Sequence, residues 1–145
     1  MKHLLVFLFM VTGIAGYPAP KIYKINSPDG KIVVTVNAGT DITWSATWQG
    51  KEIISSLKAG LIQSTGKTFG ENETVRKAVF GKTDQVLEPV VPHKHSKIED
   101  KCNTLLVTFR SGFAINFRVY NDGIAYRFET AQKGEIIIKN EISEL

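Results

Sequence analysis

One cysteine, Cys102, is all the chain has. No internal disulfide is available, so the fold must be held together by its core alone. Charge of one sign is not concentrated either: the net charge is +4, but Lys and Arg are interleaved with Asp and Glu along the sequence. Without a basic block, nucleic acid is not an expected partner. The 145 residues give room for one domain and one core, and a (β/α)8 barrel of roughly 250 residues does not fit. No internal repeat, low-complexity tract or strong helical periodicity is present.

The one long apolar run lies at the start. Lys2 supplies a positive charge, Leu4 to Val11 is apolar but too short to span a bilayer, and Gly13-Ile14-Ala15 puts small residues at the −3 and −1 positions of a cleavage site. Residues 1–15 therefore read as a signal peptide, cut after Ala15, and the protein as exported to the periplasm or the extracellular space. No membrane span is expected. Tyr17-Pro18-Ala19-Pro20 follows, and its prolines stop any helix. Acylation at the cleavage point would need a cysteine there.

Beyond Pro20 the pattern has a period of two. Ile32, Val34 and Val36 alternate with polar neighbours, as do Ile42, Trp44, Ala46 and Trp48. Gln49-Gly50-Lys51 makes a turn into Glu52-Ile53-Ile54. Leu105, Val107 and Phe109 share one face, Ser111-Gly112 turns the chain, and Phe113, Ile115, Phe117 and Val119 repeat the alternation. After Asp122-Gly123, Ile124, Tyr126 and Phe128 point inward and Ala125, Arg127 and Glu129 outward. A last short strand is expected at Glu135 to Lys139. From Ser64 to Asp100 the sequence is polar and carries Gly66, Gly70, Gly81, Pro89 and Pro92; weak strand signals at Thr74 to Phe80 and Gln85 to Val91 suggest irregular strands joined by loops. The fold class is all-β, an antiparallel β-sandwich. Residues 16–26 read as a lead-in and 27–145 as the sandwich.

Few residues suggest chemistry. His93 and His95 would face the same way on a strand, but no clustered cysteine or suitably spaced carboxylate joins them, and two solvated loop histidines account for the pattern. Glu71, Glu73, Glu88, Glu99, Asp100 and Glu129 form no recognisable acid/base motif, so no catalytic residue and no metal ligand is assigned. Arg127 and Glu129 would pair on one face as a surface ion pair. Asn72-Glu73-Thr74 fits a glycosylation acceptor, a tripeptide frequent by chance. Trp44, Trp48 and Tyr126 are the candidates for holding sugar rings, since aromatic faces stack on apolar C–H faces. Trp44 and Trp48 also share the face of Ile42 and Ala46, which argues for core packing instead.

Two turn-strand segments lie about ninety residues apart. The first is Ser27-Pro28-Asp29-Gly30-Lys31 entering Ile32 to Val36; the second is Asn121-Asp122-Gly123-Ile124-Ala125-Tyr126-Arg127-Phe128. Between them come Trp48-Gln49-Gly50-Lys51-Glu52 and Gly60-Leu61. This ordered set resembles the N-terminal β-sandwich of glycoside hydrolase family 97, secreted α-glucosidases and α-galactosidases that need calcium. The resemblance implies a galactose-mutarotase-like super-sandwich of which this chain is the first half, so the sandwich is expected to be incomplete. It also implies that the catalytic carboxylates sit mainly on a following (β/α)8 barrel, and that calcium is held near the barrel mouth with a carboxylate from the domain that no position here matches.

On this basis the chain is expected to be a non-catalytic N-terminal domain that braces the barrel and walls one side of the pocket, with no cofactor of its own. Its partners would be the missing half-domain, the barrel and, through the parent enzyme, an oligosaccharide. A free carbohydrate-binding sandwich and a ligand-free interaction module are the alternatives. A sandwich cut midway should leave inward faces such as Phe113, Ile115 and Phe117, or Ile136 and Ile138, uncovered.

Overall fold

The computed structural model describes residues 20–88 and 97–144. The signal segment and the His93/His95 pair lie outside them. Ten strands follow one another: β1 (Lys21–Asn26), β2 (Ile32–Ala38), β3 (Ile42–Trp48), β4 (Lys51–Gln63), β5 (Thr68–Phe69), β6 (Val75–Leu87), β7 (Ile98–Phe109), β8 (Phe113–Val119), β9 (Ile124–Thr130) and β10 (Ile138–Glu144). They form two antiparallel sheets. The first runs β1-β2-β3-β4-β10, with β5 attached to β4; the second runs β6-β7-β8-β9.

Alternation in the sequence becomes burial in the sandwich. Ile32, Val34, Val36, Ala38, Ile42, Trp44 and Ala46 from the first sheet meet Leu105, Val107, Phe109, Phe113, Ile115, Phe117 and Val119 from the second. The expectation that Phe113, Ile115 and Phe117 would be uncovered is corrected, because the first sheet lies over them and all three are buried. Four phenylalanines tie the layers together. Phe69 on β5 stacks on Phe113 at 4.8 Å and meets Phe109 and Phe128 edge-on at 5.4 and 5.7 Å.

Local chemistry sets the turns. Gln49 (φ 49°) and Gly50 (φ 81°) are both left-handed, as the two-residue turn between Trp48 and Lys51 requires. Gly70 (φ 106°) passes so close to β4 that a Cβ would lie 2.5 Å from the Ala59 carbonyl oxygen. Ser27 is buried and organises the first turn: its hydroxyl donates to Asp29 Oδ1 at 2.6 Å and accepts from the Ile32 amide at 3.0 Å. The two Asp-Gly turns, distant in sequence, meet in space. The Asp29 amide donates to Asn121 Oδ1 at 3.0 Å.

Three sequence boundaries move. The lead-in contains β1, whose Tyr23 and Ile25 pair with Val36 and Val34, so the sheet begins before the Ser27 turn. The two weak signals of the central region fuse into the single strand β6, which pairs with β7 from Lys77↔Thr108 to Leu87↔Ile98. Gly81 does not interrupt the strand; it stays in the ladder, paired with Thr104. The last strand is Ile138–Glu144 rather than Glu135 to Lys139: Ile136 packs on the core from a loop, and β10 pairs with the far end of β4.

The β6–β7 ladder runs past the end of β8, whose pairing with β7 stops at Asn103↔Val119. The buried face of β7 switches there. Leu105, Val107 and Phe109 face the core, whereas Asp100 and Cys102 are buried on the opposite, outer face. β6 itself is a sheet edge, and Phe80, Val86 and Leu87 are exposed along it, with Ile98 exposed opposite Leu87.

Candidate functional site

Of the three aromatic candidates, Trp44 and Tyr126 meet between the sheets, and Trp48 lies apart at the exposed end of β3. Trp44 is only 5% exposed and meets Phe117 and Tyr126 edge-on at 5.8 and 5.7 Å. Its ring offers no free face to a sugar, so Trp44 is corrected from a carbohydrate-binding candidate to a core residue. Its indole Nε1 is buried without a protein acceptor. Trp48, on the same strand, is 46% exposed at the end of β3, opposite Ile32 and Lys51. The core reading therefore fails for Trp48. Tyr126 belongs to the other sheet, where it is half-buried and donates its hydroxyl to Glu141 Oε1 at 3.0 Å. Burial, and then that carboxylate, push its pKa up.

The richest polar chemistry is on the outer face of the second sheet, of which sequence reading singles out Asp100, Glu129 and Arg127 but not Gln85, Asn116, Arg118 or Tyr120. Asp100, 5% exposed, accepts from Arg118 Nη2 at 2.9 and 2.8 Å, from Gln85 Nε2 at 2.9 Å and from the Tyr120 hydroxyl at 3.1 Å. The Gln85 hydrogen bond, then the Arg118 one, hold its carboxyl below the usual range. Tyr120 is pushed up to about 12 by burial and by the Asp100 carboxylate it faces. Beside this network, Glu129 Oε1 accepts from Asn116 Nδ2 at 2.8 Å and Arg127 Nε at 2.9 Å, and its pKa is lowered by the Asn116 bond first. The expected Arg127–Glu129 ion pair is thus present at 2.8 Å. Alternation along β7, β8 and β9 places these side chains on one face; only the cross-strand register brings them together.

Asp41 and Glu71 serve the framework. Lys58 Nζ lies 3.0 Å from Asp41 and 3.2 Å from Glu71, and that bridge pins β4 to the bridge between residues 41 and 71. Glu73 is raised by burial. Among the described residues no three or more His, Cys, Asp or Glu side chains are grouped to hold an ion. No helix among them is long and apolar enough to cross a membrane.

Two antiparallel sheets joined by an aromatic core define a β-sandwich domain. The model of the glycosyl-hydrolase 97 N-terminal family matches residues 25–145, and the chain belongs to that family. It is 28% identical over 144 residues to the retaining alpha-galactosidase of Bacteroides thetaiotaomicron, covering 99% of this chain and 22% of that protein. The fold is similar to a glycoside hydrolase family 97 enzyme from Pseudoalteromonas sp. strain K8, solved with panose and with acarbose, at a TM-score of 0.72 and 19% identity over 83% of this chain and 20% of the other. A beta-arabinopyranosidase gives the same TM-score at 22% identity, over 82% of this chain and 20% of its own. These structural likenesses carry the fold. The chain spans about a fifth of the length of the proteins it matches.

Proposed function

We propose that this domain is the N-terminal part of an exported, calcium-dependent α-glycosidase, where it braces the catalytic barrel and walls one side of the substrate pocket. The observation that carries the reading is the continuous match to the family's N-terminal region over residues 25–145, next to a relative that acts as a retaining alpha-galactosidase. Export is supported by Lys2, the apolar run Leu4 to Val11 and the small residues Gly13 and Ala15. The calcium ligands are assigned to the rest of the enzyme. Exposed Trp48 is the remaining aromatic contact for an oligosaccharide, since the Tyr126 ring packs against Trp44, Phe117 and Phe128.

The exposed edge of β6 supports the bracing role. Phe80 pairs with core residue Leu105 and so points to the inner side of the sheet, yet it is 55% exposed. An inner-side phenylalanine without cover fits further strands of the same enzyme. The test is hydrolysis of nitrophenyl α-galactoside and α-glucoside, with and without calcium, by this chain alone and by the same chain continuous with a barrel. Turnover is expected only from the second. Activity of this chain alone that survives stringent purification overturns the proposal.

A further inference from the structure

We infer that the outer face of the β6–β9 sheet carries a binding groove for a neutral, polyhydroxylated ligand, one or two sugar units of a glycan. An open groove of about 380 Å³ lies there, lined by Val79, Gly81, Thr83, Thr104, Asn116 and Arg127 together with Leu106 and Arg118. The register explains how it forms. Val79, Leu106, Asn116 and Arg127 make one cross-strand row, and Gly81, Thr104, Arg118 and Ala125 the next. Gly81 leaves the second row without a side chain on β6. A Cβ there would stand 2.8 Å from Thr104 Oγ1, so the glycine keeps the groove open.

The lining chemistry selects the ligand class. Both guanidinium groups are already matched, Arg118 by Asp100 and Arg127 by Glu129, each at 2.8 Å. A phosphate or carboxylate would have to approach those same carboxylates, so the groove has no charge to offer an anion. A purely apolar ligand fits no better. It would cover the Thr83 and Thr104 hydroxyls without satisfying them. Asn116 Oδ1 is buried with no protein donor, although its Nδ2 is held by Glu129. The Thr83 and Thr104 hydroxyls in the lining are the groups left to pair with ligand hydroxyls. Val79 and Leu106 supply the apolar surface on which the C–H face of a sugar ring rests. The volume lies at the small end of the roughly 300–1,000 Å³ range of small-molecule sites, which is room for about one or two rings.

This groove is separate from Trp48 and rests on the proposed function only in taking a glycan to be the available ligand. Binding is read on this chain alone, so its failure is distinguishable from failure of the glycosidase reading, which is read as activity of the longer enzyme. The isotope-labelled full chain is titrated with maltotriose, with melibiose and, as the anion arm, with inorganic phosphate. Saturable amide shifts are expected at Thr83, Thr104, Asn116 and Arg127 with at least one sugar. Gly81→Val should weaken that binding at least tenfold and Arg127→Ala about threefold. Because Arg127 is an exposed side chain, its variant keeps the test alive where Gly81→Val fails to fold. Shifts confined to other residues, no shift with either sugar, binding indifferent to both groove variants, or saturation by phosphate would each overturn the proposal.

Discussion

Removing the Phe69 ring should unfasten the two sheets from each other. Phe69 is 1% exposed on a two-residue strand attached to β4, and all three of its aromatic partners, Phe109, Phe113 and Phe128, belong to the opposite sheet. Phe69→Ala deletes the buried ring and leaves a cavity that rigid strands on both sides cannot close, a change that typically destabilises by about 3–5 kcal/mol. Whole domains are stable by only about 5–15 kcal/mol. With a urea slope near 1.5 kcal/mol per molar, the unfolding midpoint should drop by about 2–3 M. Phe69→Leu retains most of the volume and should lose less than about 1.5 kcal/mol, a drop of about 1 M or less. Buried Trp44 provides the fluorescence signal, which should shift to the red as the ring enters water. A midpoint shift in Phe69→Ala below about 0.5 M, or no larger than that of Phe69→Leu, would refute the view that this ring is the main fastening between the layers.

Three further outcomes are expected. Asp29 is held at about 2, by the Ser27 hydroxyl first and the Lys31 amide next, against about 3.9 in an unfolded chain. A depressed carboxylate contributes its stabilisation above the unfolded value and loses it as pH falls toward 2, so urea midpoints should decline between about pH 5 and 2, less steeply in Asp29→Asn. Phe80→Lys on the exposed β6 edge should reduce hydrophobic-dye binding and self-association seen by sedimentation, while changing stability by no more than about 0.5 kcal/mol; undiminished association would place the sticky surface elsewhere. N-terminal sequencing of exported protein should begin at Gly16, and retention of Met1 in a soluble cytoplasmic product would remove the signal-peptide reading.

How much of the fold was legible depended on whether a strand has one wet face. β2, β3, β8 and β9 do, and their period of two could be read directly from Ile32 to Val36, Ile42 to Ala46, Phe113 to Val119 and Ile124 to Phe128. β6 was read as fragments because an edge strand with little cover has no buried face to enforce alternation. The Ile136 to Ile138 run was misplaced because three consecutive isoleucines fit several registers, and pairing with β4 selected the later one. The candidate site was less legible still. Trp44 and Trp48 have the same parity on one strand, and only the extent of the facing sheet decides that the first is buried and the second exposed.

By itself the sequence determined the class of fold, the tight turns and the family, because alternation and glycine placement are local properties of the chain. It also carried the Ser27 to Lys31 and Asn121 to Gly123 turns, each recognisable from its own residues. Tertiary structure alone decided that these turns touch through Asn121 and the Asp29 amide. It alone gathered Gln85, Asp100 and Arg118 from three strands, and Tyr120 from the turn after β8, into one buried network, and set Gly81 against Thr104 to open a groove. The physical reason is that side-chain direction repeats every two residues and is written locally, whereas cross-strand register is fixed by which faces the whole core can bury at once.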